Sequence, residues 1–125
     1  MHFKILLLIG AGSFLGGISR YLLSQFIQNK SLIAFPFGTL SVNLVGCLLI
    51  GIVFGLAEKG NLSPEMRLFF ATGLLGGFTT YSAFSNDTVA LIISAQYNYA
   101  MMYVLSSVLI GFVATFFGVM LTRLI

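Results

Sequence analysis

The third of four hydrophobic stretches opens at Ser63-Pro64-Glu65, a helix start with Ser as N-cap and Pro in the first turn, and stays apolar to about Gln96. A straight helix of about 33 residues is about 50 Å long, against a hydrocarbon core of about 30 Å. Such a stretch must break or tilt strongly. Its middle carries Gly76, Gly77, Phe78, Thr79, Thr80, Tyr81, Ser82, Ala83 and Phe84. The Gly pair lies about 18 Å from the helix start, near mid-bilayer. Exposed backbone at that depth is tolerated only where protein buries it or where it lines a cavity, so a helix broken there marks an ion or substrate site.

The rest of the chain fits a membrane setting. Of 125 residues, 58% are hydrophobic and 7% charged, with mean hydropathy +1.05, far from soluble-domain values. The reading is an all-α membrane protein with four transmembrane helices at roughly residues 3–27, 36–57, 64–95 and 99–121, a single domain over residues 1–125. Lys4 followed by an apolar run imitates a signal peptide, but the run continues through glycines to Arg20 without a small-x-small cleavage site, so it reads as a retained span. Gly12 with Gly16, and Gly51 with Gly55, have the spacing that lets helix backbones approach closely. Tyr97, Tyr99 and Tyr103 cluster where interfacial aromatics belong. Cys47, the one cysteine, forms no intrachain disulfide and reads as packing.

Lys4, Arg20, Lys30, Lys59, Arg67 and Arg123 form no basic patch, which excludes nucleic acid as a partner. With four spans, the termini and the second loop share Lys4, Lys59, Arg67 and Arg123, a weak bias toward cytoplasmic termini. The third connection carries no charge, so insertion in both directions is permitted. Four helices leave little room to surround an aqueous pathway, which points to an oligomer. An antiparallel pair fits the weak charge bias.

Catalysis has no residues to work with: one histidine at the N-terminus, no paired carboxylates, no Cys/His metal spacing and no Ser-His-Asp set. Asp87 is the only carboxylate inside a hydrophobic stretch, suited to a cap or a pairing role. Arg20, late in the first span, must snorkel, pair or face a wet vestibule, where it would attract anions. Asn43 is either interhelical glue or a donor to a partly dehydrated anion, with Thr39 one turn earlier on its face. Tyr103, Ser107 and Gly111 recur every four residues, aligning a phenol, a hydroxyl and a gap. At the break, backbone carbonyls are available to a cation, while Tyr81 and Phe84 can present positive ring edges to an anion.

Three segments together resemble one family: the Gly-rich run of residues 10–21 ending Ser-Arg-Tyr, PFGTLSVNLVG at 36–46, and GLLGGFTTYSAF at 73–84. The chain resembles the bacterial Fluc (CrcB) fluoride channels along nearly its whole length. That resemblance implies an antiparallel, dual-topology homodimer in the bacterial inner membrane, with two narrow fluoride pores and a structural sodium ion at the two-fold centre. The sodium would be held by backbone carbonyls of Gly76 and Thr79 from each subunit. Tyr81 and Phe84 would be the pore aromatics and Asn43 the amide contacting fluoride. Tyr103 and Ser107 match a polar track in the fourth span, and Arg20 matches a first-span arginine. Tyr81 stands where the family usually has Phe, Ala83 where a hydroxyl is usual, and Gly111 where the track often continues with Ser or Thr.

The implied function is passive, selective fluoride export. Arg20 would concentrate anions, Asn43, Ser82, Ser107 and Tyr103 would replace lost hydration, and aromatic edges would carry the ion past the narrowest point. A small four-helix cation or multidrug exporter would resemble its class by an acidic residue in the first span, and this span has none. A non-transporting scaffold would rest on the small-residue pairs alone. Fluoride/proton exchange would have only Asp87 as carrier.

Overall fold

The computed structural model describes residues 2–125, and those residues fold into helices joined by short turns. Three helices are long and apolar enough to cross a membrane: α1 (His2–Gln28), α2 (Phe37–Glu58) and α6 (Tyr97–Arg123). The third hydrophobic stretch is assembled from pieces: α3 (Pro64–Arg67), a π-helical run (Leu68–Leu75), α4 (Gly76–Phe78) and α5 (Tyr81–Ile93). Its start is the one read from the sequence, with the Ser63 hydroxyl accepting from the Met66 N–H at 3.2 Å and Pro64 in the first turn.

The interruption falls at Thr79 and Thr80, two residues beyond the glycine pair. Thr79 (φ −92°, ψ 157°) and Thr80 (φ −150°, ψ 117°) are extended, whereas Gly76 and Gly77 remain helical. The glycines serve a different purpose. A Cβ on Gly77 would crowd the carbonyl oxygen of Ser13 at 2.5 Å, so this glycine admits α1 to the backbone just ahead of the break.

Two parallel helix pairs make up the fold. α1 runs beside the third stretch, with Ile9 near Gly73, Gly16 against Leu74 and Arg20 level with Gly77. α2 runs beside α6 over an equally extensive interface, with Cys47 near Gly111, Gly51 against Thr115 and Gly55 against Thr122. Gln28 joins the pairs at the α1–α2 connection. Its amide donates to the Phe35 carbonyl at 3.1 Å and accepts from the Gly38 N–H at 2.9 Å, adding side-chain partners to the few backbone bonds that the connection makes within itself.

Two helix ends close by the same device. Gly60 (φ 75°) follows α2, with the Asn61 N–H reaching the Leu56 carbonyl at 3.0 Å; Ala95 (φ 58°) follows α5, with the Gln96 N–H reaching the Leu91 carbonyl at 2.8 Å. The buried apolar side chains gather around Phe35, Leu91, Ala100 and Tyr103, with Leu40, Phe84 and Tyr99 against them. Tyr103 is fully buried, which corrects its reading as an interfacial aromatic; its phenol finds an acceptor inside the protein rather than at a headgroup. Outside, large apolar side chains such as Phe14, Leu109 and Phe116 are more than half exposed, as a lipid-facing surface requires. With its spans and this surface, the chain is a multi-pass membrane protein.

Close backbone approach therefore sets the packing, and it is testable position by position. A Cβ on Gly16 would collide with the Leu74 carbonyl and one on Gly51 with the Thr115 carbonyl, while Gly10 and Gly17 have nothing within 4 Å. Gly16→Ala and Gly51→Ala should each cost about 1–3 kcal/mol through overpacking. Thermal unfolding in detergent should show both destabilised, with Gly10→Ala and Gly17→Ala at or above wild type.

Candidate functional site

Asn43 projects from the middle of the first half of α2 and meets the interrupted third stretch at its weakest point. Its side-chain amide donates to the Thr80 carbonyl at 3.0 Å, and its carbonyl oxygen accepts from the Thr80 N–H at 2.8 Å. One carboxamide thus replaces both helix bonds that Thr80 has lost, which is how extended backbone is kept inside an apolar bundle. The amide has two N–H groups, so one remains for the cleft that Asn43 also lines.

The threonines divide the remaining work. Thr79 turns its hydroxyl back to the Leu75 carbonyl at 2.9 Å, closing the incoming helix. Thr80 caps the outgoing one, its hydroxyl accepting from the Ala83 N–H at 3.1 Å and sitting 3.2 Å from the Ser82 hydroxyl. Arg20 approaches from α1, its Nε donating to the Gly77 carbonyl at 3.0 Å. That carbonyl precedes the break and has no helical N–H to receive. The guanidinium is half-buried and keeps further donors beyond the one used here. The carbonyls of Gly76 and Thr79 accept no hydrogen bond among the described residues.

An open cleft of about 400 Å³ runs along this face, lined on α2 by Asn43, Gly46, Cys47 and Ile50, on the third stretch by Ala71, Leu75, Gly76, Thr79, Thr80, Tyr81 and Phe84, and on α6 by Ser107, Val108 and Phe112. The sequence-derived candidates Asn43, Gly76, Thr79, Tyr81, Phe84 and Ser107 therefore share one wall. The Ser107 hydroxyl is buried and unpartnered, an orphan donor. Ser82, exposed beside Thr80, lies on the first turn of α5.

Aromatic rings continue the cleft toward the α5–α6 side. Tyr81 is 81% exposed and stacks obliquely on Phe84, centroids 5.8 Å apart. Phe84 in turn meets Tyr103 edge-to-face at 5.2 Å and 88°. The Tyr103 hydroxyl donates to Asp87 Oδ2 at 3.1 Å. Asp87 accordingly takes the pairing role. Thr39 and Tyr103 do not line the cleft.

Two participants escaped the sequence reading. Phe35, in the α1–α2 connection, is 5% exposed and stacks with Phe37, Tyr99 and Tyr103 at 4.7, 5.9 and 5.8 Å, plugging the far end of the aromatic run. A phenylalanine immediately before Pro36 was the available signal, since proline fixes the approach of the residue ahead of it. Gln28 was the other, a polar residue at a helix end whose side chain ties the connection together.

Residues 7–119 match the family described as CrcB-like protein, Camphor Resistance (CrcB). The chain is also similar to proteins named fluoride-specific ion channel FluC: 43% identical over 120 residues to one from Parabacteroides distasonis, covering 96% of this chain and 93% of the relative. It is 44% identical over 119 residues to one from Rhizobium meliloti, covering 94% and 95%. It is 41% identical over 112 residues to one from Thermus thermophilus, covering 90% and 88%. The matched span contains all three segments that carry the resemblance, together with every residue of the cleft, and the chain belongs to the CrcB family.

Proposed function

We propose that this chain is the subunit of a fluoride-selective ion channel, a transport protein and not an enzyme, that exports fluoride across the bacterial inner membrane and relieves fluoride toxicity. The observation that carries this reading is the single cleft that holds Asn43, Ser107, Tyr81 and Phe84 beside the interrupted helix, in a chain about 40% identical to proteins bearing that channel name. Fluoride is small and strongly hydrated, so a path for it must supply dense donors in place of water. The spare Asn43 N–H, the orphan Ser107 hydroxyl and the Ser82 hydroxyl are such donors, and the single Tyr103 O–H, given to Asp87, holds the ring beside them. Edges of Tyr81 and Phe84 bear partial positive charge and bridge the apolar step between them. Arg20 adds a fixed positive charge beside the break without needing an ion pair.

One copy leaves the cleft open on one side, with Tyr81 projecting from it. Closure by a second, inverted copy would convert it into an enclosed path, giving the antiparallel, dual-topology homodimer. Its two-fold centre would bring together the Gly76 and Thr79 carbonyls of both copies. Neutral carbonyl oxygens free of hydrogen bonds suit a sodium ion, which would be held there structurally and lock the two breaks near the membrane midplane. Nothing in this scheme passes a proton, because Asp87 is engaged with Tyr103, so transport is passive.

Purified protein in liposomes should release fluoride rapidly and chloride not at all, at a rate indifferent to an imposed proton gradient, as read by ion electrodes. Proton-coupled release, or none from a folded dimer, would overturn the channel reading. Phe84→Ala should lower fluoride efflux roughly ten-fold or more with the dimer retained on size exclusion, since it removes an edge from the path. Asn43→Ala should lower flux and also expose the Thr80 amide to hydrogen exchange, a loss of about 1 kcal/mol or more of local stability. Wild-type flux in both would sink the site assignment.

A further inference from the structure

The parallel register of α2 and α6 pairs residues 64 apart: Cys47 lies near Gly111 and Gly51 against Thr115. Stepping back one turn places Asn43 opposite Ser107, and a further turn places Thr39 opposite Tyr103. A ladder of polar pairs thus descends the α2–α6 seam, and its next rung holds Cys47. A Cβ built on Gly111 would meet one heavy atom within 4 Å, the Cys47 sulfur at 3.5 Å. On that rung α6 contributes only room, and α2 contributes a thiol that is half-buried and lines the cleft with Asn43 and Ser107. The Ser107 hydroxyl, one turn from Gly111, is buried and has no hydrogen-bond partner among the described residues, so the same wall holds an unused donor.

We propose that Cys47 is a residue of the anion path: its S–H continues the line of donors from Asn43 and Ser107, and its sulfur sets the width of the passage at Gly111. This rests on the channel reading above and adds a contact residue and a constriction to it. An S–H is a weak donor and sulfur a bulky, polarizable atom. At this rung, therefore, the passage should be governed by size more than by hydrogen bonding.

The sequence has one cysteine, so a thiol reagent reports on this atom alone. Proteoliposomes would be treated with methyl methanethiosulfonate, whose sulfenyl sulfur is attacked by the Cys47 thiolate. An S–S bond forms, the bond to the sulfonyl sulfur breaks and methanesulfinate leaves. Intact-mass spectrometry reads the adduct, and a fluoride electrode reads the flux. The expected result is adduct formation on the folded protein with a roughly ten-fold or greater fall in fluoride efflux, and no effect of the reagent on Cys47→Ala. Cys47→Ser and Cys47→Ala, which both reduce the volume at this rung, should each carry fluoride faster than the wild type. An adduct that forms only after denaturation would show a packed thiol, and a full adduct with unchanged flux would show a thiol off the path; either overturns the proposal. If untreated protein passes no fluoride, the channel reading itself fails, while the adduct measurement still decides whether Cys47 faces the cleft.

Discussion

Two hydrogen bonds between the Asn43 carboxamide and the Thr80 backbone hold this architecture together. An extended residue between two helix fragments leaves an N–H and a C=O that neither lipid nor apolar side chains can satisfy, at several kcal/mol for each group. One amide, with a donor and an acceptor fixed in one plane, answers both. Thr79 and Thr80 close the flanking helix ends with their own hydroxyls, and Arg20 covers the stranded Gly77 carbonyl. Without these partners the stretch would relax toward continuous helix, and the carbonyls of Gly76 and Thr79 would return to helical bonding. The feature that most resembles an ion site is thus a consequence of polar groups contributed by α1 and α2, not of flexibility in the third stretch.

The second organising element is the shared direction of α2 and α6. Because they run parallel at close range, side chains at four-residue intervals on one helix meet their counterparts on the other. Thr39, Asn43 and Cys47 face Tyr103, Ser107 and Gly111. Polar groups scattered along the sequence become a continuous seam. The T-shaped contact of Phe84 with Tyr103 then connects that seam to the broken stretch, so the ring orientation beside the cleft is fixed by a residue that is itself fully buried.

Much of this was legible in the sequence, and what was not has identifiable causes. Span boundaries followed from hydropathy, and the Ser63-Pro64 start from capping chemistry. The glycine pairs did pack helices, since small-residue spacing has few other uses in a bilayer. The position of the break was shifted because Gly76 and Gly77 looked like the weak point. In fact their lack of a side chain serves the approach of α1, while the chain departs from helix where threonine hydroxyls and Asn43 can satisfy it. Tyr103 was read both as an interfacial aromatic and as part of the polar track, because position along a span does not say which way a ring faces. Its burial depends on Phe35, supplied by a connection no periodicity describes.

The outward display of large apolar side chains, set against an interior of glycines, hydroxyls and amides, inverts the usual relation between size and constraint. In a soluble domain the bulky core residues are hardest to replace and the surface drifts. Here a phenylalanine such as Phe14 or Phe116 can be exchanged for any side chain that lipid accepts, while the smallest residues are pinned by a neighbouring backbone. Divergence among chains of this kind should therefore accumulate in their largest residues, and ancestry should be read most reliably from their smallest.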